Sequence, residues 1–257
     1  MGYRLLAVAL LASACRVEVD FDGTRYRCEA SGAPCPAPLE CLAGYCQAGD
    51  APDGGSPSLA CLDGETAGPY GSDFEAGAPS WASVDENPLS PVRFEAGLLE
   101  IAPDYDPLAG MARSAVSSPA SDLHGTRVAV EVPQMVDAST GSGAEAALTL
   151  QGASSWATLV QRKGALHLIV HYQSGTEDIQ SLLYEPGPHR YWQLRDRLGF
   201  VLFELSPDGG SWTEHSRAPE PEDLSASTIE LSAGTTQATG APPGEVHFDD
   251  LVHCRLP

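Results

Sequence analysis

Acidic residues at alternate positions are the first feature of this sequence that could do chemistry, because alternation in a β-strand points side chains to one face. Glu18, Asp20 and Asp22 alternate in this way. Two carboxylates about 5.5 Å apart can act as nucleophile and acid/base in glycoside hydrolysis. These acids follow Cys15 closely, however, and precede a cysteine-rich stretch. We therefore interpret them as a short strand outside the main domain, and the sequence predicts no catalytic role for them.

The histidines are the second candidate chemistry. His167 and His171 share one face of the stretch ALHLIVHY, and four residues separate them by about 13 Å along a strand. One metal ion cannot bind both side chains at that distance. The chain has no Gly-x-Ser-x-Gly motif, no glycine-rich phosphate loop and no Cys/His nucleophile context. Because these catalytic motifs are missing from the sequence, we predict that the protein is not an enzyme and has no catalytic residues.

A polar face on neighbouring strands is the remaining candidate site. In RYWQLRD and GFVLFELS, the residues Trp192, Leu194 and Phe203 are expected to face the core. The polar residues between them should then project from the opposite face, as an aromatic platform with planar polar groups that suits a sugar. The predicted glycan-binding residues are His167, His171, Tyr191, Gln193, Arg195 and Glu204. An ordinary solvated sheet face would show the same pattern.

Residues 1–14 have the composition of a signal peptide. Arg4 precedes an apolar run that is too short to span a bilayer, and small residues stand before Cys15. An ordinary signal peptidase and a lipoprotein peptidase would both cut before Cys15, and the site resembles a bacterial lipobox except that Ala12 stands where Leu is usual. The chain has seven cysteines, so a lipid on Cys15 leaves an even set of six. We therefore predict a membrane partner through a lipid anchor on Cys15.

The other six cysteines divide the rest of the chain. Residues 15–50 contain Cys28, Cys35, Cys41 and Cys46. Their spacing does not match a zinc site, and exported thiols oxidise, so a small disulfide-rich segment of open connectivity is expected. Residues 51–60 are rich in Gly, Pro, Ser and Asp and predict a flexible linker. Cys61 and Cys254 stand alone at the two ends of residues 61–257, which predicts a disulfide between adjacent termini.

Residues 61–257 alternate apolar and polar side chains over many short segments. About eleven short strands are expected, with tight hairpins at Glu95-Ala96-Gly97 and Arg162-Lys163-Gly164, and long amphipathic helical patterns are missing from the sequence. Many short antiparallel strands in one domain predict an all-β fold. The expected architecture is a two-sheet antiparallel sandwich of the jelly-roll type, preceded by the small disulfide-rich segment.

Four segments of this domain carry a resemblance. SDFEAGAPSW, VRFEAGLLEI, YWQLRDRLGFVLFELSPDGGSWTEHS and GEVHFDDLVH, in this order, resemble concanavalin A-like modules of bacterial surface proteins and the C-terminal sandwich of β-xylosidases. The cysteine-rich segment is similar to those of myxobacterial lipoproteins. Related jelly rolls often hold a structural calcium, and the resemblance implies Glu75 and Asp249 as its ligands here. Laminarinase-type hydrolases share the sandwich, but their Glu-x-Asp-x-x-Glu strand is imitated only by residues 18–22.

Charge narrows the set of partners. The chain has 14 Lys and Arg against 35 Asp and Glu, a formal net charge of −21. Such a protein is not expected to bind nucleic acid, whose phosphates attract cations. The resulting hypothesis is a non-catalytic, lipid-anchored protein of the outer membrane or cell surface whose sandwich binds extracellular polysaccharide. A protein-interaction or structural envelope role is the alternative, and a glycosidase or lyase role ranks third.

Overall fold

The computed structural model describes residues 59–103, 112–135, 143–235 and 244–257, together with the backbone of three short upstream strands. The predicted signal peptide, Cys15, the acids at 18–22, Cys28, Cys35 and most of the linker lie outside the described residues. Within the described residues no helix is long and apolar enough to cross a membrane. The only helical element among them is a single 3-10 turn, Leu224–Ala226.

The strands are numbered in chain order. They are β1 (Tyr26–Arg27), β2 (Leu39–Leu42), β3 (Tyr45–Ala48), β4 (Thr66–Ala67), β5 (Ser83–Asp85), β6 (Val92–Glu95), β7 (Leu98–Ile101), β8 (Ala112–Ser117), β9 (Thr126–Gln134), β10 (Ala144–Gln151), β11 (Trp156–Arg162), β12 (Ala165–Tyr172), β13 (Gly175–Leu183), β14 (Tyr191–Arg197), β15 (Phe200–Ser206), β16 (Thr213–Pro219), β17 (Thr228–Thr235) and β18 (Val246–Arg255).

The upstream strands form a small sheet of their own in the order β1-β3-β2. Its antiparallel register places Cys41 directly opposite Cys46 on neighbouring strands. The disulfide connectivity of this segment lies outside the described side chains and stays a prediction.

The main domain is a sandwich of two antiparallel sheets, as the alternation pattern predicted. The seven-stranded sheet has the order β13-β12-β11-β10-β17-β8-β5. The eight-stranded sheet has the order β16-β15-β14-β9-β18-β7-β6, and β4 pairs with β18 beside this path. Neighbours in these orders are often distant in the chain, which is the jelly-roll arrangement. The predicted fold class is confirmed.

The apolar core lies between the two sheets and follows from the period of two. On β10 the side chains of Ala146, Leu148 and Leu150 point inward, and on β14 those of Trp192 and Leu194 meet them from the other sheet. All five are almost completely buried. Burying this apolar surface stabilises the sandwich by about 25 cal/mol for each Å² removed from water. The residues that alternate with these therefore lie on the two outer faces.

Three two-residue hairpins connect consecutive strands with backbone in the left-handed region. They are Ala96-Gly97 between β6 and β7, Lys163-Gly164 between β11 and β12, and Leu198-Gly199 between β14 and β15. Positive φ at both central residues matches the right-handed twist of the flanking strands. The predicted hairpins at 95–97 and 162–164 are present.

The ends of the domain are tied together by the predicted disulfide. Cys61 is bonded to Cys254 on the last strand, β18. A few residues after Cys61, β4 pairs with the same end of β18. Arg127 lies beside this bond, fully buried, where it donates to both carboxylate oxygens of Glu65 at 2.8–3.2 Å. Residues 59–67, which lead into the sandwich and are called the entering segment below, are therefore held to the outer face of the eight-stranded sheet. The disulfide, the Arg127–Glu65 ion pair and the β4–β18 main-chain hydrogen bonds hold them there.

Candidate functional site

A cleft of about 270 Å³ lies on the outer face of the seven-stranded sheet. Its lining residues come from the central strands β10 and β11 and from β8 and β12. They are Arg113, Glu145, Ala147, Thr149, Gln151, Trp156, Thr158, Val160, Arg162 and Ile169. The inward-facing residues of the same strands fill the core, so strand alternation places this set on the outer face, where its central members are still mostly buried by their neighbours.

The register of β10 against β11 arranges the cleft in rows. Along the two strands, successive pairs on the outer face are Gln151 with Trp156, Thr149 with Thr158, Ala147 with Val160, and Glu145 with Arg162. Because alternate residues in a strand are about 6.6 Å apart, the rows span about 20 Å from the aromatic end to the charged end. The lining of the cleft therefore changes along its length from aromatic, through uncharged, to charged side chains.

The aromatic end is built around Trp156, which is partly exposed. The imidazole of His171 on β12 stacks against the indole, with ring centroids 5.4 Å apart and an interplanar angle of 16°. His171 Nδ1 lies 2.6 Å from Thr176 Oγ1, which fixes the orientation of the imidazole. The imidazole covers part of one indole face, and the aromatic surface that stays open in this Trp156–His171 platform can pack against the apolar face of a ring-shaped ligand.

The floor of the cleft is mostly uncharged. Ala147, Val160 and Ile169 pack together as a small apolar patch that Trp156 borders. Thr149 and Thr158 share a hydrogen bond of 2.8 Å between their hydroxyl oxygens. Because the side chains on the floor are small, the cleft is deep enough to have the volume given above.

The charged end combines two arginines with two carboxylates. Arg113 forms an ion pair of 2.5 Å with Glu230 on β17 and donates to Ser232 Oγ at 2.8 Å. Glu145 lies opposite Arg162, whose guanidinium is half-exposed. Burial raises the pKa of Glu145, and the guanidinium groups of Arg113 and Arg162 act in the opposite direction. A carboxyl group that holds its proton to higher pH can donate a hydrogen bond or a proton to a ligand.

The structure divides the six predicted glycan-binding residues between opposite outer faces of the sandwich. His167 and His171 lie on β12 beside the cleft, and His167 Nδ1 is 3.2 Å from Asp178 Oδ2. The other four lie on the outer face of the eight-stranded sheet: Tyr191, Gln193, Arg195 and Glu204. The six residues therefore do not form one surface.

The four residues on the eight-stranded sheet are engaged in an enclosed polar network. Gln193 and Glu204 are 1% and 3% exposed, and Gln193 accepts from Arg127 at 3.0 Å and donates to Glu204. Arg195 also pairs with Glu204. Tyr191 packs against Leu59 of the entering segment. The polar residues that alternate along β14 and β15 therefore contact one another and the entering segment. In the sequence, the same alternation predicts a binding face.

The predicted calcium ligands Glu75 and Asp249 are not part of a compact ligand cluster. Glu75 is exposed near Gly97, and Asp249 lies on β18 opposite Glu131. Among the described residues, two groups bring three candidate ligand atoms within 4.8 Å: Cys61, Glu65 and Cys254, and Glu100, Glu245 and His247. The first group contains the disulfide sulfurs. Calcium binding by Glu75 and Asp249 stays a prediction.

The loop Ser206–Trp212 is the turn that its Asp-Gly-Gly sequence predicts. Asp208 accepts from the main-chain N–H groups of Gly210 and Ser211 and from Ser206, and these hydrogen bonds lower the pKa of Asp208 to about 2. Trp212, at the end of this loop, packs against Leu59 and Tyr191 on the outer face of the eight-stranded sheet.

Comparison with solved structures finds proteins with a similar two-sheet sandwich. A non-specific endo-β-1,3(4)-glucanase from family GH16 is similar with a TM-score of 0.53 and 12% identity, over 77% of this chain and 93% of that one. A β-1,3-1,4-glucanase (lichenase) from a mouse hindgut metagenome has a TM-score of 0.52 and 10% identity, over 73% and 99%. The CBM2 module of the evolved Dit protein of Lactobacillus casei BL23 phage J-1 has a TM-score of 0.51 and 10% identity, over 72% and 94%. No family model and no curated protein matches the sequence.

These similarities correct the prediction that the protein is not an enzyme. Several solved structures with a similar sandwich are glucanases or other glycoside hydrolases. The prediction rested on missing motifs and on residues 18–22, and the fold that the chain shares with these enzymes does not support it. At 10–12% identity the similarity establishes the fold, and the chemistry has to be argued from the cleft itself.

Sequence reasoning missed the cleft residues because their signal was weak. Glu145, Thr149 and Gln151 alternate visibly on β10, and Trp156 opens β11. Nothing in the sequence, however, says that β10 and β11 lie at the centre of their sheet, where an outer face becomes a cleft floor. The pairing of β10 with β17 and of β17 with β8, which brings Arg113 and Glu230 to the rim, is equally invisible to local pattern.

Proposed function

We propose that the cleft on the seven-stranded sheet binds an extracellular polysaccharide. The observation that carries this proposal is the Trp156–His171 platform beside the amide of Gln151 and the hydroxyls of Thr149 and Thr158. The C–H face of a pyranose ring packs on an aromatic plane, while its hydroxyl groups need planar donors and acceptors at fixed positions. The cleft offers both along one continuous surface, and the fold is shared by polysaccharide-active proteins.

A substitution at the platform tests this proposal. A glycan array on the full chain identifies a ligand, and calorimetry then compares Trp156→Ala with the wild type. Loss of the indole should weaken binding about 10- to 100-fold, because an aromatic contact of this kind contributes about 1.4–2.8 kcal/mol. Phe200→Ala is the matched control, since Phe200 is an aromatic side chain of 41% exposure on the other sheet. Equal affinity of Trp156→Ala and wild type would refute the assignment of the cleft.

Glycoside hydrolysis is the second candidate function, and the state of Glu145 favours it. A carboxyl group with a raised pKa can give its proton to the glycosidic oxygen as the leaving sugar departs. The water that attacks the anomeric carbon would give its proton to solvent, because Glu230 pairs with Thr149, four positions along β10 from Glu145. The products are then two sugars, one of which carries the hydroxyl from water.

Measuring the release of reducing ends distinguishes polysaccharide binding from polysaccharide hydrolysis. Reducing ends should accumulate when the ligand found on the array is incubated with the wild type, and Glu145→Gln should lower that rate at least 100-fold while binding persists. Glu177→Gln, an exposed carboxylate at the edge of the same sheet, is the control. Binding without any release of reducing ends would restrict the cleft to recognition.

We also propose that the protein is held at the cell envelope by acyl chains on Cys15, at the outer membrane or cell surface. The lipobox-like residues before Cys15 and the even number of the remaining cysteines support this assignment. The intact mass of the mature protein should include the acyl groups, and Cys15→Ser should release the protein from the membrane fraction. A mature wild-type protein with an unmodified Cys15 would refute the anchor.

A further inference from the structure

The charged end of the cleft holds an arginine and a carboxyl group that lie opposite each other without forming an ion pair. Glu145 on β10 is the direct cross-strand partner of Arg162 on β11, and both side chains line the cleft. Opposite charges in this position normally attract each other, because directly opposite β-carbons are only about 4.5–5.5 Å apart. Within the described part of the chain, however, the carboxylate oxygen within 4.0 Å of Arg162 belongs to Asp178 on β13.

Arg162 therefore keeps its hydrogen-bond donors available to a ligand. Its Nη2 lies 3.9 Å from Asp178 Oδ2, which is too far for a hydrogen bond, and its side chain is 41% exposed. Asp178 Oδ2 is closer to His167 Nδ1, at 3.2 Å. Arg113, the other arginine of the cleft, differs because its Nη2 donates to Glu230 and to Ser232.

Glu145 can supply a second donor beside this guanidinium. Burial raises the pKa of Glu145, against the effect of the nearby arginines, so the carboxyl group holds its proton to a higher pH than an exposed one. A protonated carboxyl group offers one O–H donor. On β17 the residue opposite Glu145 is Gly234, so no side chain stands beside the carboxyl group at that position. An acceptor group of a ligand can therefore meet Glu145 and Arg162 together.

The charge of the cleft lining differs from that of the whole chain. The chain carries 35 acidic residues against 14 Lys and Arg. The ionisable residues that line the cleft are Arg113, Arg162 and Glu145, which is two cations to one carboxyl group. At an ionic strength of 0.15 M, exposed charges further apart than about 8 Å are largely screened from each other. The lining therefore decides which ligand this end attracts, and it favours an anion when Glu145 is protonated.

We propose that the polysaccharide bound by the cleft is anionic, and that one of its carboxylate or sulfate groups lies between Arg162 and Glu145. This inference rests on the proposed polysaccharide-binding function. A guanidinium group can donate two parallel hydrogen bonds to such an anion, and protonated Glu145 adds a third. Trp156 lies about 20 Å further along β11, so the charged sugar and the stacked sugar are different units of one polysaccharide chain.

Binding of the anion should depend on the proton that Glu145 carries. An ionised Glu145 repels the ligand's negative charge, so affinity should be about 10-fold higher at pH 5 than at pH 8. Glu145→Gln keeps a hydrogen-bond donor at both pH values and should bind at pH 8 as the wild type does at pH 5. The other charged or titratable groups on the strands and the hairpin at this end are Arg113 on β8, Lys163 between β11 and β12, His167 on β12, Asp178 on β13 and Glu230 on β17.

A panel of neutral and anionic polysaccharides tests the ligand class on the full, non-reduced chain. The neutral members are laminarin, lichenan and xylan, and the anionic ones are alginate, polygalacturonate and carrageenan. Calorimetry then compares the best anionic ligand with the same backbone after carboxyl reduction or desulfation. Removal of the charge should weaken binding about 10- to 100-fold. Alginate and polygalacturonate report on a carboxylate, and carrageenan reports on a sulfate.

Arg162→Gln tests the position of the anion. It should weaken binding of the anionic ligand about 10- to 100-fold and change binding of the uncharged backbone less than twofold. The variant is expected to fold, which circular dichroism checks, because Arg162 has no hydrogen-bonded carboxylate partner in the described structure. Arg217→Gln is the matched control, since Arg217 is a 60% exposed arginine on β16 of the other sheet. It should bind the anionic ligand as the wild type does.

Three results would overturn the proposal: equal or tighter binding of the uncharged backbone, wild-type affinity of Arg162→Gln for the anionic ligand, or a pH dependence that Glu145→Gln retains in full. In the last case the histidines beside the cleft cause the pH dependence. Trp156→Ala separates this inference from the function on which it rests. Binding of neutral polysaccharides that is lost in Trp156→Ala would refute the anionic ligand alone, whereas failure of the whole panel to bind would refute both.

Discussion

Several side chains on the outer face of the eight-stranded sheet are charged and yet almost fully buried. Arg127 is 1% exposed and Glu131 is 0% exposed. Arg127 has Glu65 as its partner, and Glu131 accepts from Arg190 at 2.9 Å. Removing one member of such a pair lowers the free energy of unfolding by more than the intact pair contributes to it. The charge left behind is buried without a partner, which costs about 3–5 kcal/mol.

His253 is the buried titratable group with the clearest consequence for stability. It is 3% exposed, neither ring nitrogen has a hydrogen-bond partner, and the imidazole stacks on Tyr70 with ring centroids 5.3 Å apart. Burial, and to a smaller extent Arg255, lower the pKa of His253 to about 4. The neutral imidazole is therefore the form that the fold requires.

We predict an acid-dependent loss of stability that His253 causes. Because its pKa is about 6.5 in the unfolded chain and about 4 in the folded one, its contribution is fully present above pH 6.5 and is lost as the pH falls towards 4. The loss should reach about 3 kcal/mol. Urea unfolding at pH 7 and pH 4.5 should show a smaller difference for His253→Phe than for wild type.

His253→Leu separates titration from ring packing in this experiment. It removes the same protonation but also the stack on Tyr70, so it should lose stability at both pH values while showing the same reduced pH dependence. If both variants kept the wild-type difference between pH 7 and pH 4.5, the assignment to His253 would be wrong.

At the scale of elements, the β14–β15 hairpin carries a residue that its geometry disfavours. Leu198 has a φ of 56° and is 89% exposed, and Gly199 follows with a φ of 80°. A two-residue turn of this type prefers Asn or Asp before Gly, since a β-carbon and long apolar chain are strained there.

Leu198→Asn should therefore stabilise the protein. We expect the free energy of unfolding to rise by about 0.5–1 kcal/mol, because Asn adopts the left-handed region at lower cost. Leu198→Ala is the control: it removes the exposed apolar chain but keeps the backbone strain, so it should change stability little. Chemical denaturation measures both, and a greater gain for Ala than for Asn would contradict the turn argument.

Two strands show only a faint alternation in the sequence. β13 and β16 each form one edge of a sheet, and most of their residues are exposed or only partly buried. Edge strands pack one side against the domain through few apolar residues, so the period of two is faint in their sequences. Their places are decided by hydrogen bonding to β12 and β15, which local pattern does not encode.

At the scale of the whole molecule, the disulfide closes almost the entire described domain. Cys61 and Cys254 are separated by 193 positions, and Cys254 is fully buried beside Arg127. A cross-link over so long a loop restricts the unfolded chain strongly. The link also holds the entering segment against the face on which the polar network lies.

Removing this link should destabilise the fold without changing the cleft. The double variant Cys61→Ser, Cys254→Ser should lose about 2–5 kcal/mol of unfolding free energy. Affinity for the ligand of the cleft should stay within twofold, because the cleft lies on the other sheet. Denaturation and calorimetry on one sample test both statements, and unchanged stability would show that the ionic contacts of Arg127 suffice.

The sequence by itself determined the period of two, the hairpins at Gly97 and Gly164, the pairing of the two solitary cysteines and therefore the two-sheet class of fold. These features follow from local backbone preference and from the burial of alternate side chains, which a linear sequence records. The inward positions of Trp192, Leu194 and Phe203 are predicted on the same ground.

Only the tertiary structure decided which outer face is open. Tyr191 and Gln193 alternate as a surface would, yet Tyr191 packs against Leu59 and Gln193 is buried in a polar network. Glu145 and Trp156 alternate in the same way and line a cleft. The order of strands and the path of the segment around Cys61 make this difference, and both depend on contacts between residues far apart in the chain.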